Sequence, residues 1–148
     1  MSTKVKISKS AVDEFEGIYW NAFNDVLANS DIEDLNQIMR ECHLIYWYAS
    51  EVCNGGHGQY FDNCSDTVFS DVIGALEKYG AEEHSMILKD AISIQPVSFD
   101  ELTDDEVDKI GQKENEFDNR FHNANIDLFD LLEHIQKEHE DEIVDWVE

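Results

Sequence analysis

The stretch LNQIMRECHLIYWYASEV, residues 35–52, decides the fold. Leu35, Ile38, Cys42, Ile45, Ala49 and Val52 recur three or four residues apart, which places all six on one face of an α-helix. Asn54-Gly55 closes the run, and Ser30 with Glu33 resembles a capping box ahead of it. Toward the N-terminus, Val12, Phe15, Tyr19, Ala22 and Val26 repeat the pattern over residues 12–28, with Ser10 and Asp13 as a second capping pair.

Toward the C-terminus, residues 56–63 read as a turn or short helix. Residues 66–79 follow as a helix burying Phe69, Val72, Ile73 and Leu76, capped by Ser65 and stopped by Gly80. Residues 81–94 form another, ended by Pro96, the one proline. Beyond it, Thr103 and Glu106 make a third capping box for a helix lined by Val107, Ile110, Phe117, Phe121 and Ala124. Leu128, Leu131, Leu132, Ile135, Ile143 and Trp146 hold helical spacing within residues 125–146. No useful length of sequence alternates with period two, so no sheet is expected. These segments predict an all-α fold, a compact single-domain bundle of about six to seven helices over residues 10–148, preceded by a flexible basic tail over residues 1–9.

Charge is the compositional outlier. Thirty-four Asp and Glu face ten Lys and Arg, for a formal net charge of -24. Lys4, Lys6 and Lys9 lie at the start, and residues 100–148 hold 18 acidic against 4 basic residues. With 42% apolar residues in periodic order, the charge rides on a folded body and not on a disordered chain. Nucleic acid and anionic membranes are poor partners for such a surface. No apolar run is long enough to span a bilayer, and MSTKVKISKS lacks the apolar core of a signal peptide, so a cytoplasmic protein is expected.

The reactive residues form no catalytic or metal-binding set. None of His43, His57, His84, His122, His134 and His139 follows a Glu by three residues, and HExxH is absent. The acids of residues 100–108 lack EF-hand spacing. Neither a metal nor a cofactor is expected. Cys42, Cys53 and Cys64 read as reduced thiols, and Cys53 with His57 as a helical coincidence. Gly55, Gly56 and Gly58 lack the Lys-Ser/Thr of a phosphate loop. The expectation is therefore a protein that is not an enzyme; a small enzyme built around Asn54, His57 and Gln59 would need a concave pocket there.

Residues 54–91, NGGHGQYFDNCSDTVFSDVIGALEKYGAEEHSMILKDA, carry a resemblance. Asn54, Gly55, Gly56, Gln59, Tyr60, Phe61 and Asn63, then Ala75-Leu76-Glu77 and Gly80-Ala81, resemble the central NGGxxQYF signature of the bacterial DNA-mimic protein family, formerly a domain of unknown function. The resemblance implies an all-α, dimeric, acidic protein that imitates duplex DNA and occupies the DNA-binding face of a basic DNA-binding protein, a helix-turn-helix transcription factor, so regulating transcription as an inhibitor. The signature itself reads as structural: its glycines permit a helix end, and Asn54 and Gln59 can satisfy turn amides and carbonyls.

The mimicking carboxylates are expected among Asp100, Glu101, Asp104, Asp105, Asp108, Glu114, Glu116 and Asp118, with Asp127, Asp130, Glu133, Glu138, Asp141 and Glu142 behind them. Asp13, Glu14, Asp31, Glu33 and Asp34 form a competing patch. Aromatics among Tyr19, Trp20, Tyr46, Trp47 and Tyr48 are candidates for a homodimer surface. The alternative function is an acidic interaction or immunity module that neutralises a basic toxin without mimicking DNA. Solvation alone is the ordinary use of Glu-rich helix faces, but it normally employs both signs of charge.

Overall fold

The computed structural model describes residues 4–148. It is all-α apart from one pair of four-residue strands. The elements are β1 (Val5–Ser8), α1 (Lys9–Glu14), α2 (Gly17–Asn29), α3 (Gln37–Asn63), α4 (Phe69–Lys78), α5 (Glu82–Ser93), α6 (Asp104–His122), α7 (Leu128–Glu138), α8 (Glu140–Ile143) and β2 (Val144–Val147). They fall into two compact units, one running through Trp47 and resuming at Leu128–Glu148, the other Tyr48–Asp127. The division passes through α3.

In the first unit, Val5–Ser8 is a strand in place of the expected tail. It pairs in parallel with β2, Val5 opposite Val144 and Lys6 opposite Asp145, while Val5, Ile7 and Val144 are buried. β2 also replaces the last turn of the long C-terminal helix expected through Trp146. The physical reason is the same for both strands. Each is too short to display period two, and the pairing that satisfies their backbone groups joins residues at opposite ends of the chain. Helix α2 packs on β1 and buries Tyr19, Phe23 and Leu27. Tyr19 and Gln136 bond reciprocally: the Tyr19 hydroxyl donates to the Gln136 carbonyl (3.3 Å), and Gln136 Nε2 donates to the Tyr19 carbonyl (2.8 Å).

Two start signals are relocated. Ser8, not Ser10, caps α1 by accepting from the Ala11 amide. Ser30 closes α2 through its own amide, and Asn36 Oδ1 accepts from the Met39 amide at the start of α3. Phe15, expected on the buried face of a single helix, is 60% exposed where α1 and α2 separate.

The apolar face of α3 matches the sequence pattern: Ile38, Cys42, Ile45, Ala49 and Val52 are all buried, as is Leu35 just before the helix. Its regular geometry breaks at Gly55 and Gly56, so the expected stop is a kink, and the short helix expected over 56–63 continues beyond it. Gly56 has φ 80° and ψ -178°, a conformation open essentially to glycine alone.

In the second unit, α4 packs on α5 and α5 on α6. Gly80, at φ 85°, ends α4 as expected, and the Ala81 amide donates back to the Leu76 carbonyl (2.8 Å) in a Schellman closure. The Thr103–Glu106 capping box is complete, each side chain accepting from the other's backbone amide. A cap of this kind contributes about 1 kcal/mol. Phe117 and Phe121 of α6 are buried, Phe117 in a cluster with Ile87 and Ala91 against which Phe61 packs. Val107, expected on the same face, is exposed in the first turns of α6.

Candidate interaction surface

Folding redistributes the charge that the sequence concentrates near its C-terminus. The eighteen acids and four bases of residues 100–148 divide evenly: residues 100–127, in the second unit, hold ten acids and three bases, and residues 128–148, in the first, hold eight and one. Each portion is net -7. Counted whole, the first unit has 16 acids and 5 bases and the second has 18 and 5.

Helix α6 carries the most ordered acidic face. It buries Phe117 and Phe121, which leaves the row Asp104, Asp108, Gln112 and Glu116, spaced i to i+4, exposed on another side. Successive members of that row rise by about 6 Å along the axis. Asp100 and Glu101, also exposed, precede it. Asp105 lies beside the row and is paired with Lys109 (3.2 Å), as Glu116 is with Lys113 (3.7 Å). Such exposed pairs contribute well under about 1 kcal/mol and leave the carboxylates open to competition from a stronger cation.

The other expected carboxylates are placed differently. Asp127, Asp130, Glu138, Asp141 and Glu142 are exposed, and Glu133 is half-buried. The outer face of α7 mixes signs, since Glu133 pairs with Lys137 (3.7 Å) and Glu138 with His134 (3.3 Å). Asp13, Glu14, Asp31, Glu33 and Asp34 are exposed in the first unit. There Arg40 donates to the Ile32 and Glu33 carbonyls, holding the acidic 3-10 turn at Ile32–Asp34 against the start of α3.

Two members of the expected set turn inward. Asp118 has a side chain only 23% exposed, and its Oδ1 accepts from both the His57 backbone amide (2.8 Å) and His57 Nδ1 (2.7 Å). His57 is fully buried, and its Nε2 lies 2.7 Å from the Tyr48 hydroxyl. With Asp118 Oδ1 as the acceptor, Nδ1 carries the proton, and since burial favours the neutral ring, Nε2 is left to accept from Tyr48. The Tyr48–His57–Asp118 chain is thus satisfied with a neutral imidazole, packed among the Phe61, Phe117 and Phe121 rings. Glu114, one turn before Asp118, is partly buried; burial raises its pKa, and Gln95 Nε2 lies 3.5 Å away. Neither Asp118 nor Glu114 belongs to the free acidic face. The reason is helical phase: they share the side of α6 that carries Phe117 and Phe121.

This node explains the glycine at 56, where a Cβ would strike the Asp118 carboxylate; at Gly55 a Cβ would instead meet the Gln59 side chain. Gln59, expected to serve the turn backbone, donates to the Glu51 carboxylate instead (2.7 Å), and Asn63 donates to the same carboxylate (3.0 Å). Tyr60 is buried, while Asn54 is exposed. Asn54, His57 and Gln59 therefore serve different surroundings. Neither Glu51 nor the His57–Asp118 bond had a local signal, since the latter spans 61 residues.

Of the thiols, only Cys42 is core, its pKa pushed up to about 12 by burial; Cys53 is exposed and Cys64 half-buried. Among the described residues no three His, Cys, Asp or Glu side chains gather as a metal-holding group, and no helix is long and apolar enough to cross a membrane. Tyr19 and Tyr48 are buried, which leaves Trp47 as the most exposed of the aromatics suggested for a dimer surface.

The buried imidazoles set a pH dependence. Burial lowers the pKa of His57, outweighing the hydrogen bond and charge of Asp118, and burial likewise lowers His84 and His43. His84 donates from Nε2 to the Ile126 carbonyl (2.6 Å) and has no partner for Nδ1. Groups whose folded pKa lies below the unfolded value of about 6.5 give stability that is whole above that pH and lost as pH falls toward the folded pKa. Glu114, with a raised pKa, acts in the opposite sense. Three histidines outnumber it, so the melting temperature is expected to fall as pH drops from 7 to 5.5; a thermal scan that stays level or rises over this range contradicts the assignment of neutral buried histidines.

The fold and surface are those of an all-helical protein with an excess of exposed carboxylates. The chain belongs to the DMP19-like protein family, whose model matches residues 33–145. The match includes the segment 54–91 and extends through α6, α7 and α8 to the first half of β2. No curated protein and no solved structure matches the chain.

Proposed function

We propose that this protein is a DNA mimic that occupies the DNA-binding face of a basic DNA-binding protein, of the helix-turn-helix transcription-factor class, and thereby regulates transcription in the cytoplasm. The observation that carries the reading is the exposed acidic row of α6, in a chain that belongs to the DMP19-like family. Duplex DNA presents one charge per roughly 1.7 Å of axis, and its partners bind it largely through phosphate contacts. With the neutral Gln112 in the row, its three carboxylates average one charge per about 8 Å, only about a fifth of that density. Asp100, Glu101 and Asp105 beside the row raise the density locally, and a homodimer would double the array to meet half-sites about 34 Å apart.

The test is capture from lysate by the immobilised protein at low salt, followed by elution with duplex DNA. A retained DNA-binding protein that duplex DNA releases, and whose retention falls steeply with salt, is the expected result. Capture of no DNA-binding protein defeats the proposal. A basic partner that DNA fails to displace favours the alternative of an immunity or interaction module that does not mimic DNA.

A further inference from the structure

A crevice of about 230 Å³ opens in the first unit, between the start of the chain and the α7–β2 region. Its walls include Glu16, Tyr19, Glu133, Lys137, Glu140 and Trp146. The volume lies below the roughly 300 Å³ at which pockets begin to take drug-sized ligands, so it suits a group of side-chain size. Three carboxylates against Lys137 in the lining and Lys9 at the Trp146 ring leave an excess of one negative charge, which disfavours anions and favours a cation.

The aromatic wall narrows the choice. The Tyr19 and Trp146 rings lie 5.9 Å apart at an interplanar angle of 35°. Trp146 is held in place by its indole N–H, which donates to Glu140 Oε1 at 2.6 Å. Its ring already attracts a cation, since Lys9 Nζ lies 5.7 Å from the centroid. Glu140 is committed to the Trp146 indole, whereas the Lys137–Glu133 pair, at 3.7 Å and exposed, is open to competition, leaving Glu16 and Glu133 as the available acceptors. A guanidinium meets this combination better than an ammonium: it is planar, sheds water more readily, stacks on aromatic faces and bonds carboxylates with a fork of N–H groups.

We infer that this crevice is a binding site for a guanidinium group, the arginine side chain of a basic protein partner seated between the Tyr19–Trp146 wall and the Glu16 and Glu133 carboxylates. That a protein partner supplies the arginine rests on the charge-mimic function above; the preference of the crevice for guanidinium does not.

Titration of the full chain with N-acetyl-arginine amide, followed by the Trp146 indole N–H resonance, tests it. The resonance is identified by its loss in Trp146→Phe. A saturable shift is expected with the arginine compound, about tenfold weaker binding with N-acetyl-lysine amide, and none with the neutral N-acetyl-citrulline amide. The double variant Glu16→Gln, Glu133→Gln keeps the Glu140–Trp146 bond and is expected to weaken arginine binding about tenfold with the rest of the spectrum unchanged. Citrulline or lysine binding as well as arginine, or undiminished arginine binding by the double variant, overturns the site. Arginine binding together with failed lysate capture defeats the mimic function and leaves the crevice standing; the converse pair of results does the reverse.

Discussion

Asp118→Ala is expected to lower the unfolding free energy by about 3 kcal/mol, although Asp118 looks in sequence like one more surface acid on α6. The substitution strands two donors at once, the His57 backbone amide and Nδ1–H, in surroundings where His57 is fully buried. Each stranded donor costs about 1–3 kcal/mol. For a chain of this length the combined loss corresponds to a melting temperature about 10 °C lower. Asp118→Asn keeps an acceptor oxygen and is expected to lose less than half as much.

Gly56→Ala should match Asp118→Ala for a different reason. It forces a side chain into φ 80°, ψ -178°, and drives its Cβ into the same carboxylate. Chemical denaturation of the three variants decides the matter. If Asp118→Ala stays within about 0.5 kcal/mol of the parent, the buried node does not hold the second unit together.

Reversal of the α6 row should produce the opposite pattern, a large loss of binding with little change in stability. Asp104→Lys, Asp108→Lys and Glu116→Lys together are expected to weaken the captured partner's affinity by about 100-fold or more at low salt, near 1 kcal/mol per position. All three side chains are exposed, so stability should move by no more than about 0.5–1 kcal/mol, mostly from Asp104 in the first helical turn. The informative control is Asp31→Lys, Glu33→Lys and Asp34→Lys, which changes net charge equally but in the other unit. Equal losses from the two triple variants mean that net charge alone attracts the partner. A greater loss from the control moves the interface to the N-terminal patch.

These expectations divide the acids by what they touch, a division that sequence spacing suggests only in part. Helical phase already separates Asp104, Asp108 and Glu116 from Phe117 and Phe121, so the exposed row of α6 is readable by counting residues. The same count puts Asp118 next to Phe117 and on the inward side, but it cannot supply the histidine that meets it 61 residues earlier. The Asn54-Gly55-Gly56 run shows a related limit. The need for a helix break at Asn54-Gly55 is local and legible, whereas the carboxylate that excludes a Cβ from Gly56 comes from another helix.

By itself, the sequence determined the helical class, the buried face of α3, the Thr103–Glu106 cap, the Gly80 stop and the size of the charge. These depend on periodicity, on contacts within about four residues, or on composition. Tertiary structure alone decided that Val5–Ser8 pairs with Val144–Val147, that Asp118 and Glu114 leave the acidic face, and that the C-terminal charge is halved between two units. Each of these joins groups far apart along the chain. Their energies come from desolvation and pairing in space, for which a linear pattern carries no period.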